Sequence, residues 1–201
     1  MKYGVQSAFQ IPISYYQNLE LKDELKNYII SKNSKGIESN VTPLIKQNLI
    51  ESKFDFFRDE TPIVRKTAQW ITNVLTDTIN TLQMEDVDYN FVYNESWYHI
   101  TKTNGMHEPH THPRRSWCGI YYLQSGDLGS GETVFENPVK STYIDRGNLY
   151  LNNMSQYRVK PQDGLLVIFP SFLSHYQAMY KGTEDRIVVA FNASIDKREE
   201  V

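Results

Sequence analysis

The stretch Leu165-Leu166-Val167-Ile168-Phe169-Pro170-Ser171 reads as a strand closed by a turn. It is short, rich in β-branched and aromatic residues, and stops at a proline, which cannot donate to a sheet ladder. Five further segments share that character: Tyr89-Asn90-Phe91-Val92-Tyr93, Ser96 to Thr101, Ser116 to Leu123, Glu132 to Phe135 and Arg186 to Phe191. Turn-forming clusters separate them: Thr103-Asn104-Gly105, Ser125-Gly126-Asp127, Gly129-Ser130-Gly131, Asp145-Arg146-Gly147-Asn148, Gln162-Asp163-Gly164 and Lys181-Gly182-Thr183. Many short strands with frequent turns predict a β-sandwich or barrel over the second half of the chain.

The first third follows a different rhythm. Asn18 is a candidate cap for a helix over about Leu19 to Ser31, with Leu21, Leu25, Tyr28 and Ile29 on one stripe and Asn33-Ser34-Lys35-Gly36 as its stop. Thr61-Pro62 offers a second start, with proline at the first helical position. Ile63, Thr67, Trp70, Ile71, Val74, Leu75, Ile79 and Leu82 then recur at three- and four-residue steps. Both helices are expected to cover one outer face of a sheet. Residues 36–60 carry no clear pattern. No linker interrupts the 201 residues, so one domain is expected, mostly helical over 1–85 and with its β core over 86–196.

Composition narrows the class. Hydrophobic residues make up 40% and charged residues 22%, as in soluble globular proteins. A net charge of −3 argues against a dominant phosphate-binding surface, and the adjacent Arg114 and Arg115 suffice only for a local basic patch. The single cysteine, Cys118, lies in an apolar run and reads as a packing residue. Neither a signal-peptide pattern nor a run of about 18 apolar residues is present, so a cytoplasmic protein is the default expectation.

Three of the five histidines crowd into Met106-His107-Glu108-Pro109-His110-Thr111-His112-Pro113. On an extended strand, residues two apart share a face. His110 and His112 should then project together, Glu108 with them and His107 the other way. Two neutral imidazoles one strand-step apart form a natural bite for a first-row metal. A third ligand must come from elsewhere, and His175, which follows the Leu165–Ser171 strand and turn, is the only histidine farther downstream in the strand-rich half. A jelly roll brings such distant strands side by side. His99 and His107 read as packing or supporting residues.

These surroundings resemble the 2-oxoglutarate/Fe(II)-dependent oxygenases, and within them a branch found in bacteria and many phages. The resemblance is carried by Ser96-Trp97, Gly105 through His112-Pro113, Ser116 to Leu123, Gly164 through His175, and Arg186 to Asn192. It implies an α+β protein, mainly β with N-terminal helices: a double-stranded β-helix, or jelly roll, with two helices packed on one sheet. It implies Fe(II) held by His110, His112 and His175. It further implies that Arg186, eleven residues beyond His175, takes the far carboxylate of 2-oxoglutarate, with help from the Tyr122 hydroxyl. A planar guanidinium suits that role better than an ammonium. Gly131-Glu132-Thr133-Val134-Phe135 is similar to a strand of prolyl hydroxylases, and Asn192, ending the last strand, is a candidate to face the site.

One departure stands out. The family's usual triad carries a carboxylate where this chain has His112. Three arrangements compete: His112 as a genuine third ligand, Glu108 supplying the carboxylate, or His112 set back with a coordination position open. The implied activity is a dioxygenase that consumes O₂ and 2-oxoglutarate, releases succinate and CO₂, and hydroxylates an unidentified substrate. The alternative is a cupin-like three-histidine metal protein that acts without 2-oxoglutarate, as a dioxygenase, isomerase or small-molecule binder. Neither a membrane nor a nucleic-acid partner is indicated. A phage-encoded member of the branch would work in the host cytoplasm.

Overall fold

A computed structural model describes residues 10–33, 46–82, 89–138 and 155–197. Nine strands and two helices follow in chain order: β1 (Ser14–Gln17), α1 (Lys22–Asn33), β2 (Lys46–Glu51), α2 (Pro62–Leu82), β3 (Tyr89–His110), β4 (Trp117–Gln124), β5 (Thr133–Glu136), β6 (Gln156–Val159), β7 (Leu165–Pro170), β8 (His175–Gln177) and β9 (Arg186–Lys197). A 3-10 turn, Phe56–Arg58, precedes α2. The expected turn at Asp145–Asn148 lies outside the described residues.

All strand pairs are antiparallel, in the order β1-β7-β4-β9-β3-β8-β5-β6, with β2 also against β3. The sheet curls on itself as a jelly roll. Alternation sorts its two faces. On β4, Tyr121 and Leu123 join Leu166 and Ile168 of β7 and Val189 and Phe191 of β9 under α1 and α2. Cys118 and Tyr122 turn the other way, into the curl, with Val167, Phe169, Val188 and Phe135. β7 is therefore buried on both faces, which is why it reads as an uninterrupted apolar run.

The helices cover one sheet face as expected, with Leu25, Ile29, Ile63, Ile71, Leu75 and Ile79 buried. Leu82, assigned to the same stripe, is exposed. α1 begins at Lys22 because Asn18 Oδ1 accepts the main-chain N–H groups of Glu20 and Leu21, closing a turn before the helix starts. The N-terminal third is less helical than its pattern suggests, since β1 and β2 extend the sheet at β7 and β3.

The largest difference concerns β3. Tyr89–Tyr93 and Ser96–Thr101 are one strand, and Thr103-Asn104-Gly105 does not reverse the chain. Tyr89–Thr101 pairs with β9, while His107 and His110 pair with β8. Between them Asn104 takes a left-handed φ of 64°, and its N–H donates to the Tyr180 carbonyl. A tight approach to the Asn48 and Lys102 carbonyls leaves no room for a Cβ at Gly105. The turn-like residues thus bend one strand from one layer of the roll into the other. β9 likewise runs past Asn192 to Lys197. No helix among the described residues is long and apolar enough to cross a membrane.

Candidate metal centre

β3 and β8 set the first two imidazoles. His110, the last residue of β3, stands opposite His175, the first of β8, in the ladder. Their ring centres are 4.4 Å apart. His112 lies just beyond β3, fixed by its N–H to the Ser171 carbonyl, so the turn after β7 holds it. Its ring centre is 5.0 Å from His110 and 5.3 Å from His175. One nitrogen from each ring lies within 4.8 Å of the other two.

The hydrogen bonds orient two of these rings. His110 Nδ1 faces the Glu108 carbonyl at 2.8 Å, and His175 Nδ1 faces the Leu173 carbonyl at 2.9 Å. A carbonyl only accepts, so each Nδ1 carries the hydrogen and each Nε2 presents its lone pair. Burial, then the neighbouring His110 and His112, lowers the pKa of His175 to about 3, so that ring is neutral. Three imidazoles are a donor set suited to Fe(II) and its first-row neighbours.

Glu108 is exposed and lies outside this cluster. His107, expected on the opposite face, stacks on His110 at 4.1 Å. The cause is a register shift: β3 uses three steps from His107 to His110 where β8 uses two from Gln177 to His175. Pro109, which has no N–H to give the ladder, sits in that bulge. One added residue inverts the alternation on which the parity argument rested.

The imidazoles share a cavity with Arg186, Thr133, Gln177, Val188 and Ala190. Arg186 is fully buried. Its Nη1 donates to Gln177 Oε1 at 2.8 Å, and its guanidinium carbon lies 5.0 Å from the centre of the Tyr122 ring. It makes no ion pair with Glu184 or Asp185; Asp185 pairs instead with Lys102. Tyr122 faces the curl but stands behind the cavity wall, its hydroxyl 2.5 Å from Thr133 Oγ1. Tyr121 faces the helices.

Sequence reasoning missed several lining groups. His99 is buried against Glu51, Nε2 to Oε2 2.6 Å, with Trp97 Nε1 2.9 Å from the same nitrogen. All five histidines line this cavity. The alternation Trp97, His99, Thr101 on β3 was the available signal. Asn192, a candidate from its place after the Arg186–Phe191 strand, faces the cavity and touches His112.

Comparisons with known proteins agree with this geometry. Residues 95–192 match the model of the family described as "Putative 2OG-Fe(II) oxygenase". No curated protein matches the chain. Among solved structures, a Pseudomonas putida prolyl-4-hydroxylase is similar at TM-score 0.62 and 14% identity, covering 94% of each chain. A viral collagen prolyl hydroxylase from Paramecium bursaria Chlorella virus-1, solved as a 2OG complex, is similar at TM-score 0.57 and 15% identity, covering 90% of this chain and 94% of its own. HygX from Streptomyces hygroscopicus, solved with nickel and 2-oxoglutarate, is similar at TM-score 0.58 and 10% identity, covering 92% of this chain and 83% of its own. At such identities the likeness shows the jelly-roll fold. Family match and fold together place the matched residues 95–192 in the 2-oxoglutarate/Fe(II)-dependent oxygenase superfamily, and the histidine cluster fits it.

Proposed function

We propose that this protein is an Fe(II)- and 2-oxoglutarate-dependent dioxygenase that hydroxylates a substrate of unidentified class. His110, His112 and His175 would hold the iron, with Nε2 of His110 and His175 already turned inward. Bound there, iron supplies O₂ activation coupled to oxidative decarboxylation of 2-oxoglutarate to succinate and CO₂. Everything else belongs to the chain. Arg186 takes the far carboxylate of the cosubstrate, and Thr133 Oγ1, linked to the Tyr122 hydroxyl, adds a second polar contact beside it. Gln177 fixes the guanidinium by accepting from Nη1. Val188, Ala190 and Phe169 form apolar walls that keep water from the space between the arginine and the histidines.

The observation that carries the reading is the buried Arg186. No carboxylate among the described residues pairs with it. A desolvated cation without an anion is costly, and a cosubstrate carboxylate answers that cost. Succinate release with candidate substrate pools, under Fe(II) and 2-oxoglutarate, tests the proposal. Release that depends on both Arg186 and added substrate supports it; metal binding with no 2-oxoglutarate affinity would refute it. That second outcome would favour the cupin-like reading, to which the carboxylate-free donor set also points.

A further inference from the structure

Asn192 stands opposite Glu95 in the β3–β9 ladder and is buried, with 1% of its surface exposed. Its Nδ2 lies 2.8 Å from Glu95 Oε2 and 3.0 Å from His112 Nδ1. A carboxylate accepts and does not donate, so the amide NH₂ is turned toward Glu95. The second hydrogen of that NH₂ then points at His112 Nδ1, which must act as acceptor. A neutral imidazole accepting at Nδ1 carries its hydrogen on Nε2. His112 is therefore the reverse of His110 and His175, and in this arrangement its Nε2 has no lone pair to offer.

The same cluster contains the remedy. Two of its buried groups are without a hydrogen-bond partner: Asn192 Oδ1 and Arg115 Nε. Arg115 Nε lies 3.6 Å from Glu95 Oε2. Turning the amide over presents Oδ1 to a hydrogen on His112 Nδ1, and a small shift of Glu95 gives Arg115 Nε its acceptor. Oδ1 and Arg115 Nε then have partners, the NH₂ takes the place that Oδ1 held, and His112 Nε2 gains a lone pair. One hydrogen leaves Nε2 for solvent and one arrives at Nδ1, so the ring's charge is unchanged.

We propose that Asn192 is a positioning residue that sets the tautomer of His112, and that Glu95, shared between Asn192 and Arg115, decides which side of the amide faces the ring. Metal capture by the three-histidine set is coupled to reversal of that amide. The inference rests on the metal-binding reading above and extends it: two ligands are pre-set by main-chain carbonyls, and the third is recruited through a side-chain switch.

Two-bond ¹H–¹⁵N NMR of histidine-labelled protein distinguishes the tautomers, and the protein has only five histidines. Chelator-treated protein should show His112 with hydrogen on Nε2, and Zn(II)-loaded protein should show it on Nδ1. Glu95→Leu removes the acceptor, so metal-free His112 should shift toward the Nδ1–H form while Zn(II) affinity is not weakened. Asn192→Leu should weaken Zn(II) binding about 10- to 100-fold, the usual scale for losing a ligand's hydrogen-bond partner. Zn(II) binding with His112 as Nδ1–H throughout, or a Glu95→Leu protein still holding Nε2–H, would overturn this inference alone. Failure of the intact protein to bind Zn(II) would overturn the metal reading with it.

Discussion

The guanidinium of Arg186 lies 5.0 Å from the centre of the Tyr122 ring, inside the roll and close to no carboxylate of the described residues. An aromatic face and one amide oxygen ease the burial of this cation without neutralising it. Burial pulls its pKa down, Tyr122 opposes that shift, and a guanidinium keeps its charge regardless. β9 places Arg186 at one end of the cavity and Asn192, beside His112, toward the other. A small dicarboxylate bridging an arginine and a metal matches that layout.

Arg186→Ala should weaken 2-oxoglutarate binding by roughly 100-fold, on the basis of about 3 kcal/mol for a buried charge-assisted contact. Arg186→Lys keeps the charge but loses the fork and should fall between. Calorimetric titration with Zn(II) in place of iron reads this without turnover. In the same buffer, 2-oxoglutarate should raise the melting temperature of the unaltered protein and not that of Arg186→Ala. Equal affinities would remove the main support for 2-oxoglutarate dependence.

His112→Ala should reduce Fe(II) affinity by more than the roughly 10- to 100-fold that losing a ligand's hydrogen-bond partner costs. His112→Asp, which restores the family's usual carboxylate, should bind Fe(II) within a few-fold of the unaltered protein. Glu108→Ala should change nothing, because only its main-chain carbonyl takes part. Anaerobic Fe(II) titration of the three variants separates the competing donor sets. A large loss in Glu108→Ala together with none in His112→Ala would reverse the assignment.

The strand-rich half was legible because its apolar runs are bounded by turn residues, and the His110–His112–His175 grouping was legible from spacing plus family pattern. What the sequence hid has two causes. Alternation counts residues, so the Pro109 bulge defeated it and sent His107 to the wrong face. Residues such as Asn104 and Gly105 signal a change of direction without saying whether the chain reverses or one strand bends. Supporting groups fared worst. Glu51 and Gln177 support His99 and Arg186, partners 48 and 9 residues away, a relation that local patterns do not carry.

Gly119 should not tolerate a side chain. It faces Phe191 across the β4–β9 ladder, and a Cβ there would meet the ring at 2.3 Å. Phe191 is fully buried beneath the helices and cannot withdraw freely. Gly119→Ala should cost about 1–3 kcal/mol, the usual penalty for overpacking, seen as a lower urea midpoint with an unchanged slope. An unchanged midpoint would mean that the ring moves at little cost.

Asp59 ties α1 to the start of α2. It accepts from Lys32 Nζ at 2.5 Å, from Thr61 Oγ1 at 2.6 Å and from the Tyr28 hydroxyl. Burial pushes its pKa up, but these hydrogen bonds outweigh burial and hold the carboxyl well below the usual range. The stabilisation is therefore complete above the unfolded-state pKa of about 3.9 and is lost as pH falls toward the folded value. Asp59→Asn should cost about 1–3 kcal/mol at pH 7. The gap between the two proteins should be smaller by about 1 kcal/mol at pH 3, because only the carboxylate form draws on the Lys32 charge. Urea unfolding of both proteins at the two pH values measures it, and a gap that stays constant would show that the three donors respond to shape alone.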